Sequence, residues 1–490
     1  MDDRASISDL ARAFLTSALG VLRRESVVPT PRFHPFLQVG RDYFGDSLMG
    51  LSEFVALKDA IAERHPRFSD ATPHMERDFA NGYIFSFLEA FIAEVSLNGE
   101  DWSPDAASFD RCLASLVSAI EAESREVACC REVSNLTTAS GEPLEFSDVT
   151  IIPLTAPPHE HSREAVRTIA RVIPHAQSAP GRTSPDGWDP PHSIVIARDH
   201  SSKPFESAKT LSRRIERFLL IGRLLHAGTC DSLYEVQGET ALVRWYTPTL
   251  MHFRGSAGSL WAPSMIRRTT RLDPQDIERF DGLSEAIATA EGDPQGMLLS
   301  SFGMAKHRFQ MSYHQHAWYE QLIDLAIAFE AALSGAHKTD VLLRLKTRAS
   351  ALLATENDPV DSIFKDIGIL YDLRSKLIHG NAFSEKGLAK SAKSITTVPD
   401  DSPSGEAVDH AVDRLRDLVR RALLARICLA ACEPPLWNLD EDKGVDAQLA
   451  DASTRDKWCS TWRAVLERFD AHGSVDRPRT AASFVSPEDR

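Results

Sequence analysis

Arg374 and His379 stand five positions apart in the segment Leu373-Arg374-Ser375-Lys376-Leu377-Ile378-His379-Gly380. An arginine offers a planar, permanently charged fork of N–H donors. A histidine changes its charge near neutral pH. Spacing alone gives the pair little weight, because Arg308/His314 and Arg67/His74 fit the same Arg-x4–6-His pattern in a chain with 17 histidines. The neighbours of Arg374 set it apart. Ile363, Ile367, Leu370, Leu377 and Ile378 recur at three- and four-residue spacing, the mark of a helix with a core-facing stripe. Arg374 falls on the line from Leu370, where another apolar residue is expected. A guanidinium there must be solvated, paired, or turned toward an interface or ligand. Pro359 suits the start of this helix, and Gly380-Asn381 suits its end. Residues five apart on an unbroken helix point ~140° away from each other. A site shared within one chain therefore requires the helix to end or bend between Arg374 and His379.

Other polar clusters read as structural. His307, His314 and His316 have no standard zinc spacing and no supporting cysteines; no metal or other cofactor is expected. Arg414, Arg416, Arg420, Arg421 and Arg426 alternate with Asp409, Asp413 and Asp417 at helical spacing, which predicts a salt-bridged, solvated helix face. Arg213, Arg214, Arg217 and Arg223 form a second basic patch; each patch has phosphate contact as its alternative to a solvated face. Gly255-Ser256-Ala257-Gly258-Ser259 lacks the Gly-Lys-Ser/Thr ending of a phosphate loop.

Three regions must position these residues, and together they predict an α+β protein. Residues 1–130 read as a helical N-terminal region, with apolar periodicity over Ile7–Leu22 and Asn81–Val95 and a further helix over Phe109–Val127. Residues 145–270 read as a mixed α/β region. Its strands are expected at 149–154 and 193–197, followed by a helix over 204–225. A hairpin joins Ser232–Val236 to Thr240–Tyr246 through Gln237-Gly238-Glu239. The Pro- and Gly-rich stretch from 178 to 191 is expected to be an exposed loop. Residues 300–432 read as an all-α bundle, with helices over 303–333, 340–354, 359–379 and 406–432. Residues 433–490 are expected to be an extension ending in a loose tail.

Composition narrows the function classes. The 490 residues are 43% hydrophobic and carry a net charge of −15, which argues against broad nucleic-acid affinity. The acidity lies elsewhere than in 300–432, where 17 Lys and Arg face 16 Asp and Glu. The seven cysteines form no CxxC pair. Residues 1–25 lack the pattern of a signal peptide, and no apolar run reaches ~18 residues. The expectation is a cytoplasmic protein with reduced thiols and no membrane partner.

Tyr371-Asp372-Leu373-Arg374-Ser375-Lys376-Leu377-Ile378-His379-Gly380 resembles the motif region of the Apea-like HEPN family. Upstream, 318–333 is similar to that family's first long helix, with Asp324 and Glu330 in matching places. The stretch 342–353 resembles the helix that follows. The resemblance covers about a quarter of the chain, in matching order and spacing. It implies a C-terminal all-α HEPN bundle and a metal-independent endoribonuclease. Two copies would pair as a homodimer through this domain, so that both Arg-His motifs line one composite site on an RNA substrate. His379 would transfer protons and Arg374 would hold the phosphate, with Glu330 or Asp324 orienting the arginine. Ser375 stands where many active members carry Asn, Asp or His. Proteins of this layout are often toxins or antiviral effectors, here with an N-terminal region that answers an unidentified trigger or ligand. The alternative is a non-catalytic HEPN module that binds RNA or dimerises.

Overall fold

A computed structural model describes residues 6–24, 44–64, 76–97, 106–122, 125–153, 192–201, 204–226, 230–239, 269–291, 300–315, 317–334, 340–379, 384–439 and 444–469. It is an α+β fold. The N-terminal part holds α1 (Ile7–Arg24), α2 (Phe44–Met49), α3 (Ser52–Arg64), α4 (Glu76–Leu97) and α5 (Ala106–Glu121). Ser6 begins α1, its Oγ accepting from Asp9 N at 3.1 Å, which satisfies one otherwise orphaned helix donor. The apolar stripe predicted from Ile7 to Leu22 is buried. It joins Phe54, Phe85, Phe91, Phe109 and others in a core of its own.

Next comes an antiparallel sheet in the order β3-β4-β5-β1-β6. Its strands are β1 (Arg125–Ser134), β3 (Leu144–Glu145), β4 (Thr150–Pro153), β5 (His192–Ser201) and β6 (Asp231–Glu239). A separate parallel pair joins β2 (Leu136–Thr138) to β7 (Thr270–Leu272). Two expectations are corrected here. The helix predicted to run to Val127 ends at Glu121, and the chain enters β1 at Arg125. Gln237, Gly238 and Glu239 form no turn; they lie within β6 opposite Cys129, Ala128 and Val127. In both cases a hydrogen-bonded ladder on two sides of β1 overrides the local signal, as strand preferences depend strongly on neighbours. The 178–191 and 240–246 stretches lie outside the described residues. Along β1, Val127, Cys129 and Val133 face the core beneath α6 (Pro204–Leu225). Arg131, on the same face, donates to Glu216 of α6 at 2.6 Å.

The remaining helices are α7 (Pro274–Glu291), α8 (Ser301–Met311), α9 (Trp318–Leu333), α10 (Val341–Leu353), α11 (Val360–Ile378), α12 (Glu385–Ala392), α13 (Ser404–Ala430), α14 (Val445–Ala450) and α15 (Ala452–Phe469). Ser300 and Ser384 cap α8 and α12, accepting from Gly303 N and Gly387 N. One apolar core runs from Val127 in the sheet through these helices to Trp462. The 433–469 segment belongs to that core. Trp437 stacks on Trp458 at 5.5 Å between ring centroids, and Trp462 Nε1 donates to Leu352 O at 3.1 Å. Residues 470–490 lie outside the described residues.

Helix α13 corrects the largest expectation about charge. Its arginines do not form a solvated face, because the helix is buried all round from Ala411 to Ala430. Arg414 donates through Nη1 and Nη2 to the two oxygens of Asp358, each at 2.8 Å, and through Nε to Asp366 at 2.9 Å. Arg421 reaches Asp358 and the carbonyl of Leu353. Arg420 pairs with Asp417 and donates to Leu224 O of α6. Arg416 pairs with Asp413 and donates to Gln321. Arg426 caps the carbonyls of Ala332 and Leu439. A buried charge persists only when paired and hydrogen-bonded; the interleaved aspartates meet that need in the interior. These arginines are fastenings, out of reach of a phosphate backbone.

Candidate functional site

The stripe on α11 positions Arg374. Ile363, Ile367, Leu370 and Leu373 are buried, so Leu373, not Arg374, takes the next inward place after Leu370. Leu377 is half-buried, and Ile378, expected to face the core, is 47% exposed. Arg374 sits one position round from the core line, at the edge where α11 meets α9. Its side chain is 25% exposed.

Three groups meet at that edge. Arg374 Nη2 lies 3.4 Å from Glu330 Oε1 on the last turn of α9. The Tyr371 hydroxyl donates to the same Glu330 oxygen. The Arg374 guanidinium carbon lies 5.4 Å from the centre of the Tyr371 ring, within the range of a cation–π contact. Burial pushes the Glu330 carboxyl above its ordinary value, and Arg374 opposes that shift. Among the described residues, Arg374 Nε is buried without a hydrogen-bond partner. The guanidinium is thus tethered at one corner, with most of its fork unspent.

His379 does not join this cluster. α11 runs unbroken to Ile378, and His379 is its C-cap with φ −82° and ψ 4°. Its backbone N donates to Ser375 O at 3.1 Å, and its side chain is exposed. Among the described residues no contact links it to Arg374. The helix ends at the histidine, not before it, so the angular divergence of an intact helix remains. Ser375 is half-buried between the two.

Asp324 is placed elsewhere. It is buried on α9 and accepts from Arg308 at 2.8 Å and Gln315 at 2.9 Å. Of the two carboxylates considered, Glu330 is therefore the partner of Arg374, and Asp324 holds the turn after α8. Arg308 is the arginine of a second Arg-x4–6-His match, so that match is tied into packing. Arg67/His74 lies outside the described residues, as do His316 and the Gly255–Ser259 loop. The second basic patch is also dispersed. Arg223 is buried, donating to Cys230 O and lying 4.3 Å from the Tyr313 ring centre; Arg214 donates to Arg198 O; Arg213 is exposed.

Sequence reasoning missed Tyr371. The available signal was its place three residues before Arg374, which sets both on one helix face. No cysteine forms a disulfide, and burial pushes the Cys428 thiol up to about 12. Among the described residues no helix is long and apolar enough to cross a membrane, and no group of three His, Cys, Asp or Glu is disposed to hold a metal. Compared with protein-family models, with curated proteins and with solved structures, the chain gives no match.

Proposed function

We propose that this protein is a metal-independent endoribonuclease whose site is built from Arg374 and His379, supported by Glu330, as the resemblance to the Apea-like HEPN family implies. The observation that carries the reading is the Arg374 guanidinium, half-buried, held at one corner by Glu330 at 3.4 Å and otherwise unspent. Such a fork suits two oxygens of a phosphodiester. RNA supplies its own nucleophile. The 2′-oxygen attacks phosphorus as its proton leaves to a base, and the bond from phosphorus to the 5′-oxygen breaks. That oxygen then takes up a proton, so the products are a 2′,3′-cyclic phosphate and a 5′-hydroxyl. His379 moves protons, and Arg374 stabilises the charge gathering on the phosphorane oxygens.

The separation of His379 from Arg374 on one chain favours a composite site between two copies. The face of α10 and α11 offers the contact, since Leu343 is 60% exposed and Phe364 and Ile378 are also exposed. A Leu343→Asp/Phe364→Asp variant is expected to run as a monomer by light scattering and to lose cleavage. The same separation also favours the second reading, a HEPN module that binds RNA or dimerises without cutting it.

The deciding experiment incubates end-labelled RNA in EDTA with the wild type and with Arg374→Ala/His379→Ala. Cyclic-phosphate ends from the wild type alone support the nuclease. Activity that appears only when a divalent metal is added counts against the mechanism. No cleavage under any condition, with normal dimerisation, moves the assignment to the binding module. A toxin or antiviral role, controlled through the N-terminal helices, extends the nuclease reading.

A further inference from the structure

We propose that Tyr371 is a positioning residue of this site: it fixes the Glu330 carboxylate that tethers Arg374, and so leaves the outer edge of the guanidinium to a phosphate. The identity of that ligand rests on the ribonuclease reading; the arrangement of the three side chains does not.

The geometry carries the argument. Glu330 Oε1 is shared, receiving the Tyr371 hydroxyl and facing Arg374 Nη2. Without a second donor, Glu330 would be free to swing and take Arg374 as a two-point fork, the arrangement arginine and carboxylate favour. The tyrosine occupies that oxygen, and the arginine contact stays single and long at 3.4 Å. The Tyr371 ring also lies 5.4 Å from the guanidinium carbon, which limits where the side chain can go. Among the described residues this single contact with Glu330 is the only ion pair that Arg374 makes.

Among the described residues, the other arginines of the helices packed on α9 are engaged elsewhere. Arg308 of α8 is held by Asp324. Arg344 and Arg348 of α10 pair with Asp446, and Lys346 lies 3.9 Å from the Phe364 ring centre. On α11, Lys376 pairs with Asp372. On α13, Arg414 and Arg421 are held by Asp358, Arg416 by Asp413, Arg420 by Asp417, and Arg426 by backbone carbonyls. Among the described residues, Arg374 and Tyr371 are the side chains that contact this carboxylate.

The test uses full-length Tyr371→Phe, which keeps the ring and removes the donor. Carboxyl-labelled glutamate is followed by NMR through a pH titration, with Glu330→Gln identifying the Glu330 signal. The midpoint of Glu330 is expected to rise by about one pH unit in Tyr371→Phe, the worth of a hydrogen bond to a charged group. The acid limb of kcat/KM for RNA cleavage should move up with it, and the rate above that limb should return to within about threefold of wild type. A residue that merely packs would lower the rate at every pH and leave the midpoint alone. An unchanged Glu330 midpoint overturns the proposal whether or not RNA is cut. A wild type that cuts no RNA sinks the nuclease reading, and the midpoint then still decides the role of Tyr371.

Discussion

Arg374 and His379 differ in how deeply the protein commits to them. The arginine is half-buried and engaged on one corner, while the histidine is exposed at a helix end. Replacing His379 by alanine should therefore leave stability within about 0.5 kcal/mol, as at other surface positions. On the proposed ribonuclease reading, the same change should lower cleavage by roughly two to four orders of magnitude, the usual share of a general acid or base. Thermal unfolding and labelled-RNA assays measure the two effects separately. Ser375 is half-buried on the same turn, and Ser375→Ala is expected to lower cleavage less than about tenfold, a single neutral hydrogen bond being worth ~0.5–1.5 kcal/mol. Asp324 offers the contrast. It is bonded to Arg308 and Gln315 and has no bond to Arg374. Asp324→Ala should destabilise the fold by about 1–3 kcal/mol through stranded donors, and on the ribonuclease reading the protein that remains folded should keep the wild-type rate per molecule.

At the scale of elements, α13 is the axis on which the site helices are mounted. α9, α10 and α11 all pack against it, and its arginines tie it to carboxylates and carbonyls on its neighbours. Asp358 accepts from both Arg414 and Arg421. Asp358→Ala leaves two buried guanidinium groups short of a partner and should cost about 3–5 kcal/mol, read as a lower urea midpoint. The pH response has a defined sign. Burial of Asp417 alone would raise its carboxyl, but Arg421 and Arg420 overcome that and bring it from 3.8 to about 2. Asp358 is lowered by Arg414 and Arg421 against the same burial effect. A carboxyl held lower in the folded state adds stability above its unfolded value and loses it as pH falls through the folded one. The urea midpoint should accordingly hold near neutrality and drop between about pH 4 and 2, and Asp417→Asn should flatten that drop.

At the scale of the molecule, residues on both sides of the boundary expected near residue 300 share one apolar core. The core joins Val127 and Leu219 to Leu325, Leu418 and Trp462, and Arg420 donates to Leu224 O across that boundary at 2.8 Å. A fragment of 300–469 should expose this surface and fail to unfold cooperatively, whereas 125–469 should give a single transition; circular dichroism against temperature distinguishes them. The helices of 7–121 bury a separate set of side chains.

Much of this was legible locally. Period-3.6 apolar patterns located α1, α10, α11 and α13, whereas the single helix expected over 303–333 is two, α8 (Ser301–Met311) and α9 (Trp318–Leu333), because the chain turns after Met311. Arg374 stood out for a related reason: it falls on the line from Leu370, where charge demands a partner, although the structure gives the inward place to Leu373 and sets Arg374 beside it. Helical periodicity places Arg374, Ser375 and His379 near the end of one helix, and Glu330 on another. It left open which carboxylate meets the arginine, since Asp324 and Glu330 both lie on α9. Packing selects Glu330, by seating the last turn of α9 against α11 and engaging Asp324 with Arg308. It also turned the Arg-Asp ladder of α13 inward, where the same spacing had suggested a wet face. Spacing fixes which side chains can meet along one helix. Which of them leave water depends on what the rest of the chain brings alongside, and for α13 that includes Asp358 and Asp366, 48 to 63 residues away.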